Sequence, residues 1–369
     1  MFHSLGLSII SIMLSVLCIF LAVSTCCNSG SHSRLRASVP IPNKAQPLVR
    51  FNVNGKLKIV QFADLHYGEA PDTDWGPAAD IKSRRVIEDA LQWENPDFVI
   101  FTGDQVTGEL MYPNGTDYIH ILLTPFVEKG YRWASVYGNH DIGPNLTRLE
   151  ILQAEQSYGD LCYTKQVRTD LPGVTNYFIP IYAAENDTIE EEQPVMIWWF
   201  FDSQGGRNQF GQQPHYIDQN VVEWFRNESQ RLRSEWGMLP SLVFFHIPPQ
   251  EYVTIQDNVL TNQLCDGLLD DDVTPQDNNT GIMEALSEAG GVKTIFVGHD
   301  HGNAWCCFYK DIEVCYNRHT GYGGYGTWTR GVRVIDLDIR NLENRTNYVR
   351  LETGEVVDNF PRKNVSLRT

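Results

Sequence analysis

Positive charge is scarce in this chain. Its 29 Lys and Arg stand against 46 Asp and Glu, a formal net charge of −17, and its pI is near 5.0. That balance excludes a sequence-independent grip on nucleic acid, which needs a basic face. The chain also has no internal repeat, which sets aside solenoids and propellers. No Lys or Arg precedes the first apolar stretch, Leu5–Val23, whereas Arg34, Arg36 and Lys44 follow it. Left uncut, that segment would draw the bulk of the chain towards the cytoplasm. Apolar matter is plentiful: 42% of the 369 residues are hydrophobic, enough for one large core or two ordinary ones.

The Leu5–Val23 stretch is 19 residues long, interrupted by Gly6 and four Ser or Cys. A cleaved signal peptide and a membrane anchor both fit its length. Small residues at its end, Ala22-Val23-Ser24, favour cleavage. So do the Asn-x-Ser/Thr sequons at Asn114, Asn145, Asn186, Asn227, Asn278, Asn344 and Asn364, which suit glycosylation on a secretory route. Membrane contact is expected only if the segment is retained. Residues 25–50, rich in Ser, Pro and Asn, read as a linker.

Cysteines point the same way. Trp305–Tyr309 and Ile312–Tyr316 read as two strands joined at Lys310-Asp311, and counting outward places Cys306 opposite Cys315, within reach of a cross-strand bridge. Cys162 and Cys265 are open to a second pairing or to life as buried thiols, with Cys307 left over and Cys26 and Cys27 at the leader's margin.

From Lys56 onward, strands alternate with helices. Strands are predicted at 58–63, 97–102, 133–137, 195–202, 241–245, 293–297 and 331–339. Helices are predicted at 77–93, 117–129, 146–157, 217–236 and 280–289. This alternation predicts a layered α/β domain over 51–340. The polar stretches 203–214 and 257–279 read as long loops, and the tail 341–369 as an added edge strand and its end.

Five short strings each follow an apolar run: Asp64-Leu65-His66, Gly103-Asp104, Gly138-Asn139-His140-Asp141, His246, and Gly298-His299-Asp300-His301. Taken singly, each is an ordinary strand end or turn. Together they hold five of the ten histidines, at the strand ends where ligands gather in layered α/β folds. Asp64 and His66, like His299 and His301, are two apart, so an extended backbone turns each pair to one face. Gly103 and Gly138 suit sharp turns. Two carboxylates, an amide oxygen and four imidazoles can hold two metal ions about 3.5–4 Å apart, an arrangement suited to attack on phosphorus.

The order Asp-x-His, Gly-Asp, Gly-Asn-His-Asp, His, Gly-His-x-His resembles the calcineurin-like metallophosphoesterase superfamily over roughly Leu57 to Leu337. The resemblance implies an α/β/β/α sandwich. It implies that Asp64, His66 and His301 bind one metal, Asn139, His246 and His299 the other, and that Asp104 bridges them. His140 then faces the phosphate as a catalytic group, with Asp141 expected to orient it. Phe244-Phe245-His246-Ile247-Pro248-Pro249, the Cys hairpin and Gly321-Tyr322-Gly323-Gly324-Tyr325-Gly326 resemble a secretory branch of plants and fungi labelled purple acid phosphatase-like, some of it labelled inactive. The Gly-Tyr stretch has no Lys-Ser/Thr after it, so it reads as a turn packing aromatics near the site, not a nucleotide loop. Purple acid phosphatases carry a Tyr three residues after the bridging Asp, and the related protein phosphatases an Asp; here that position is Thr107. Neither a purple colour nor the protein phosphatase proton arrangement is therefore expected.

The implied function is hydrolysis of phosphate monoesters of small molecules by in-line attack of a metal-bridging hydroxide, with Fe, Zn or Mn as the ions. A phosphodiesterase with the same site and a silent binding protein of the same fold are the alternatives.

Overall fold

The computed structural model describes residues 46–111, 114–185, 193–262, 265–343 and 345–360, and all counts are of these. The leader, Cys26, Cys27, most of 25–50 and the sequons at Asn186, Asn344 and Asn364 lie outside them.

The chain opens with β1 (Val49–Arg50), β2 (Lys56–Phe62), α1 (Trp75–Glu94), β3 (Phe98–Thr102), α2 (Gly115–Glu128), β4 (Trp133–Val136) and α3 (Arg148–Gln156). Then come β5 (Tyr177–Tyr182), β6 (Pro194–Phe200), the short pair β7 (Arg207–Asn208) and β8 (Gly211–Gln212), α4 (Gln219–Trp236) and β9 (Ser241–Phe244). The rest is α5 (Glu251–Asn262), α6 (Ile282–Ala289), β10 (Val292–Val297), β11 (Cys306–Tyr309), β12 (Ile312–Tyr316), β13 (Gly331–Asp338), β14 (Thr346–Leu351) and β15 (Val356–Phe360).

Two sheets carry the fold, of order β1-β5-β6-β9-β10-β12-β11 and β15-β14-β13-β2-β3-β4. Alternation within the strands explains how they stack. In β2, Ile59 joins a core shared with Phe244, Phe296 and Trp198 of the other sheet. Its neighbour Val60 turns outward to pack with Ile87, Leu91, Leu122 and Phe126 of α1 and α2. In the first sheet, Leu242 and Phe244 face the shared core, while Val243 and Trp199 meet Val221, Phe225, Met283 and Leu286 of α4 and α6. Both faces of each sheet are therefore covered, and that is why β6 and β9 read as unbroken apolar runs. The layers are α/β/β/α.

The strands β2, β3 and β4 run parallel, as do β6, β9 and β10. Their C-terminal ends deliver the five strings.

Several elements depart from the sequence reading. Pro180 inside β5 masks that strand, since Pro is ordinarily confined to edges and bulges. Helix α5 carries Val253, Thr254 and Ile255, a β-branched run, directly after Pro248-Pro249 and with Glu251 in its first turn. Val49–Arg50, inside the expected linker, pairs with β5. The tail adds two strands, not one, with β15 outermost.

Cys306 and Cys315 face each other across β11 and β12 and are disulfide bonded. The Cys162–Cys265 pairing does not form. Cys265 bonds Cys307, and Cys162 is a buried free thiol. Strand alternation gives the reason: Cys307 turns away from Cys306 into the helix-covered core that Cys265 borders, whereas Cys162 packs beside Trp133 in the core on the other side of the sandwich. No helix among the described residues is long and apolar enough to cross a membrane.

Candidate metal centre

The strand ends bring the distant strings together in two groups. Asp64, His66 and His301 form one, and Asp104, His246 and His299 the other; within each group the potential ligand atoms lie within 4.8 Å of one another. Asp104 Oδ2 is 3.1 Å from Nε2 of His246 and 3.7 Å from Nε2 of His66, so one carboxylate reaches into both groups. Asn139 Oδ1 lies 3.2 Å from His246 Nε2. His66 and His301 approach Nε2 to Nε2 at 3.2 Å, and His299 Nδ1 is 3.3 Å from His246 Nε2.

Such converging nitrogens suit a cation. Ligand atoms about 2.0–2.2 Å from one ion are separated by about 3–3.5 Å, the spacing found here. The outer nitrogens have other partners: Nδ1 of His66 is hydrogen bonded with Thr107 Oγ1 at 3.2 Å, Nδ1 of His246 donates to the Thr102 carbonyl at 2.8 Å, and Nδ1 of His301 donates to the Tyr325 carbonyl at 3.0 Å. The two carbonyl bonds fix the tautomer that turns the Nε2 lone pairs of His246 and His301 inward. Burial holds His66 and His299 well below the usual histidine range and His301 down to about 4, so all three offer neutral imidazoles. Burial also disfavours the charged form of His246, but Asp104 outweighs it and lifts that group to about 9. A cation held there would displace a proton from His246. The residues present fit two metal ions.

The backbone shows what this convergence demands. Asp64, His66, Asp104 and His299 all have positive φ, at 55°, 48°, 49° and 83°. Non-glycine residues hold such angles only where the surroundings over-determine them, as at functional sites. Gly103 has φ +89°, as a sharp turn needs, but Gly138 answers a different need: a Cβ there would lie 2.2 Å from Asp104 Oδ1.

His140 stands beside the groups, its ring 5.2 Å from that of His66 and its amide donating to Asp104 Oδ1 at 2.8 Å. Its Nδ1 is bonded to Glu109, not to Asp141. Burial works against its charge, yet Asp104 and Glu109 raise it to about 10. Asp141 instead accepts from the amides of Val106 and Gly138, at 3.0 and 2.6 Å, and so ties the Asp104 loop to the Asn139 turn. The expectation that Asp141 orients His140 is thus corrected: both of its carboxylate oxygens are taken by backbone amides, one in the Asp104 loop and one in its own turn, and Glu109 takes the His140 ring instead.

Over the groups opens a cleft of about 470 Å³, lined among others by Glu69, Glu109, Leu110, His140 and Tyr325. Sequence reading missed Glu69 and Glu109, although Glu109 stands only five residues past Asp104. It missed His319, buried and packed at a tilt against His301 with ring centroids 3.9 Å apart, and no local pattern marks that residue. The Gly321–Gly326 segment does pack an aromatic at the site: Tyr325 stacks on His301 at 4.1 Å.

The layered fold and the paired ligand groups define a metallophosphoesterase architecture. The Calcineurin-like phosphoesterase family matches residues 57–303, and the chain belongs to that family. Among curated proteins it is similar to "Probable inactive purple acid phosphatase 29" of Arabidopsis thaliana, 27% identical over 81% of this chain and 82% of that one. It is also similar to "Phosphatase DCR2" of Saccharomyces cerevisiae, 31% identical over 88% of this chain and 57% of that protein. The solved structure of a dimetal phosphatase from Danio rerio shares the fold with a TM-score of 0.54 at 12% identity, covering 82% of this chain and 98% of that one.

Proposed function

We infer that this protein hydrolyses phosphate monoesters with two metal ions, Asp64, His66 and His301 holding one, Asn139, His246 and His299 the other, and Asp104 both. The observation that carries the reading is the reach of Asp104 into both groups, with His140 fixed beside them by Glu109. When bound, the two ions supply electrophilic pull on phosphoryl oxygens and an acidified water as nucleophile. The chain's own groups do the rest. Asp104 keeps the two groups in register, and Thr107 aims His66. His140, tied at Nδ1, presents its other nitrogen to the cleft, where it stabilises phosphoryl charge or hands a proton to the departing ester oxygen.

Two disulfides support a secretory setting, as do sequons at Asn114, Asn145, Asn227 and Asn278 that all stand on exposed positions. A cleaved leader over 1–24, a linker over 25–50 and a catalytic domain over 51–340 complete the proposed organisation.

The name of the Arabidopsis relative favours a second reading, a binding protein of the same fold without the reaction. One experiment separates them: metal analysis of the purified protein, with turnover of p-nitrophenyl phosphate and its bis-aryl diester before and after His140→Ala. Monoester turnover lost in the variant supports the enzyme. Bound metal without turnover of either ester supports the binding protein, and faster diester cleavage points to a phosphodiesterase.

A further inference from the structure

The cleft above the ligand groups is poor in positive charge. Among the described residues no Lys or Arg lines it, and three carboxylates outside the ligand sets do: Glu69, Glu109 and Asp300, the last taken up by the Tyr316 hydroxyl and the Thr274 amide. Glu109 is engaged by His140. Glu69 is held at the rim because it accepts from the amide of Gly324. Tyr325 lays one face on His301, fixes its hydroxyl on Asp271 and remains 49% exposed. The buried cation Arg330 is turned elsewhere, donating to the carbonyls of Trp328 and Gly326 at 2.7 and 2.9 Å.

A single phosphoryl group in this cleft is matched by the two ions and His140. Whatever lies beyond it meets Glu69 and Tyr325. A second phosphate there finds no counter-charge and faces a carboxylate, in a chain whose net charge of −17 already repels polyanions. A cationic group finds the opposite: a fixed carboxylate and a half-exposed aromatic ring, the pair of features that attracts ammonium groups.

Resting on the monoesterase reading, we propose that the cleft selects phosphate monoesters whose remainder carries a positive charge and no second phosphate, with Glu69 and Tyr325 reading that charge. Glu69 and Tyr325 are then specificity determinants, separate from the metal ligands.

The test compares kcat/KM of the metal-loaded protein for phosphocholine, phosphoethanolamine, glycerol phosphate and ATP. The cationic esters are expected to exceed glycerol phosphate by about tenfold, chiefly through KM, and ATP to fall below it. Raising the salt to about 0.15 M should narrow the gap. Glu69→Gln keeps an oxygen for the Gly324 amide but loses the charge, and should bring the cationic preference to within about threefold. Equal use of glycerol phosphate, or of ATP, overturns the proposal, as does a preference untouched by Glu69→Gln. If p-nitrophenyl phosphate is not hydrolysed either, the proposed reaction has failed, and calorimetric binding decides: tighter binding of phosphocholine than of glycerol phosphate supports the selectivity, and equal binding refutes it.

Discussion

The Glu109 carboxylate grips Nδ1 of His140, five residues beyond the carboxylate of Asp104 that receives the amide of the same histidine. Both oxygen partners of His140 thus come from one loop after β3. The grip sets the ring's orientation, and Glu109→Gln should lower kcat about tenfold while metal content stays unchanged. His140→Ala should cost about a hundredfold or more, in the range of a lost general acid. Elemental analysis and steady-state kinetics on the same preparations check both. A Glu109→Gln variant with unaltered kcat and unaltered pH profile would show that the contact does not matter to turnover.

Asp104 approaches Nε2 of His66 and of His246 at 3.7 and 3.1 Å. Asp104→Asn keeps the volume but removes the charge shared by both groups. It should leave at most one tightly held cation per chain and reduce turnover at least about a hundredfold, because the paired arrangement is lost. Titration with Zn or Mn followed by gel filtration and metal analysis reads the stoichiometry. Two retained cations in that variant would remove Asp104 from its bridging place.

Much of this site was legible because its ligands sit in short strings directly after strands, where local pattern and position coincide. Parallel β2, β3 and β4 bring Asp64, Asp104 and Asn139 to the same edge, though Asp64 and His66 meet there through left-handed backbone at φ 55° and 48° and not through the extended backbone their two-residue spacing suggests. What pattern could not supply was contact between residues far apart in sequence. Nothing near His319 foretells its packing against His301, and nothing near Glu69 foretells its bond to Gly324, 255 positions away. Adjacency misled in one case: Asp141, beside His140 in sequence, spends its carboxylate on the amides of Val106 and Gly138. In another, strand alternation decided a pairing that spacing left open, sending Cys307 to Cys265.

Gly324 packs against two histidines of the first group, His301 and His66. A Cβ there would lie 2.3 Å from Cε1 of His301 and 2.9 Å from Cδ2 of His66, at φ +70°. Gly354 has φ +87° but only ordinary contacts, 3.7 Å from Trp93. Both Ala substitutions should destabilise the fold by about 1–2 kcal/mol through backbone strain. Only Gly324→Ala should also weaken metal binding, by about ten- to a hundredfold, as expected when the support of a ligating imidazole moves. Paired thermal melts and metal titrations separate the two effects. Equal metal affinity in both variants would mean that His301 tolerates the intruding methyl.

Glu155 is buried beneath β4, accepting from Ser135 Oγ at 2.8 Å and Thr164 Oγ1 at 2.6 Å. Burial outweighs these donors and pushes its carboxyl from the ordinary 4.5 up to about 7. The folded chain therefore holds this proton more tightly than the unfolded one. Its stabilising effect is complete below about pH 4.5 and is lost as the pH climbs to 7, at about 1.4 kcal/mol per pH unit, or about 3 kcal/mol across the window. Glu155→Gln stays neutral throughout and removes that slope. Urea unfolding at pH 5 should find the two proteins within about 1 kcal/mol, and at pH 7.5 the Gln variant should be the more stable by about 2 kcal/mol. Groups elsewhere titrate in both proteins and cancel in the difference, so a gap that does not change with pH would show that the Glu155 carboxyl ionises as it does in water.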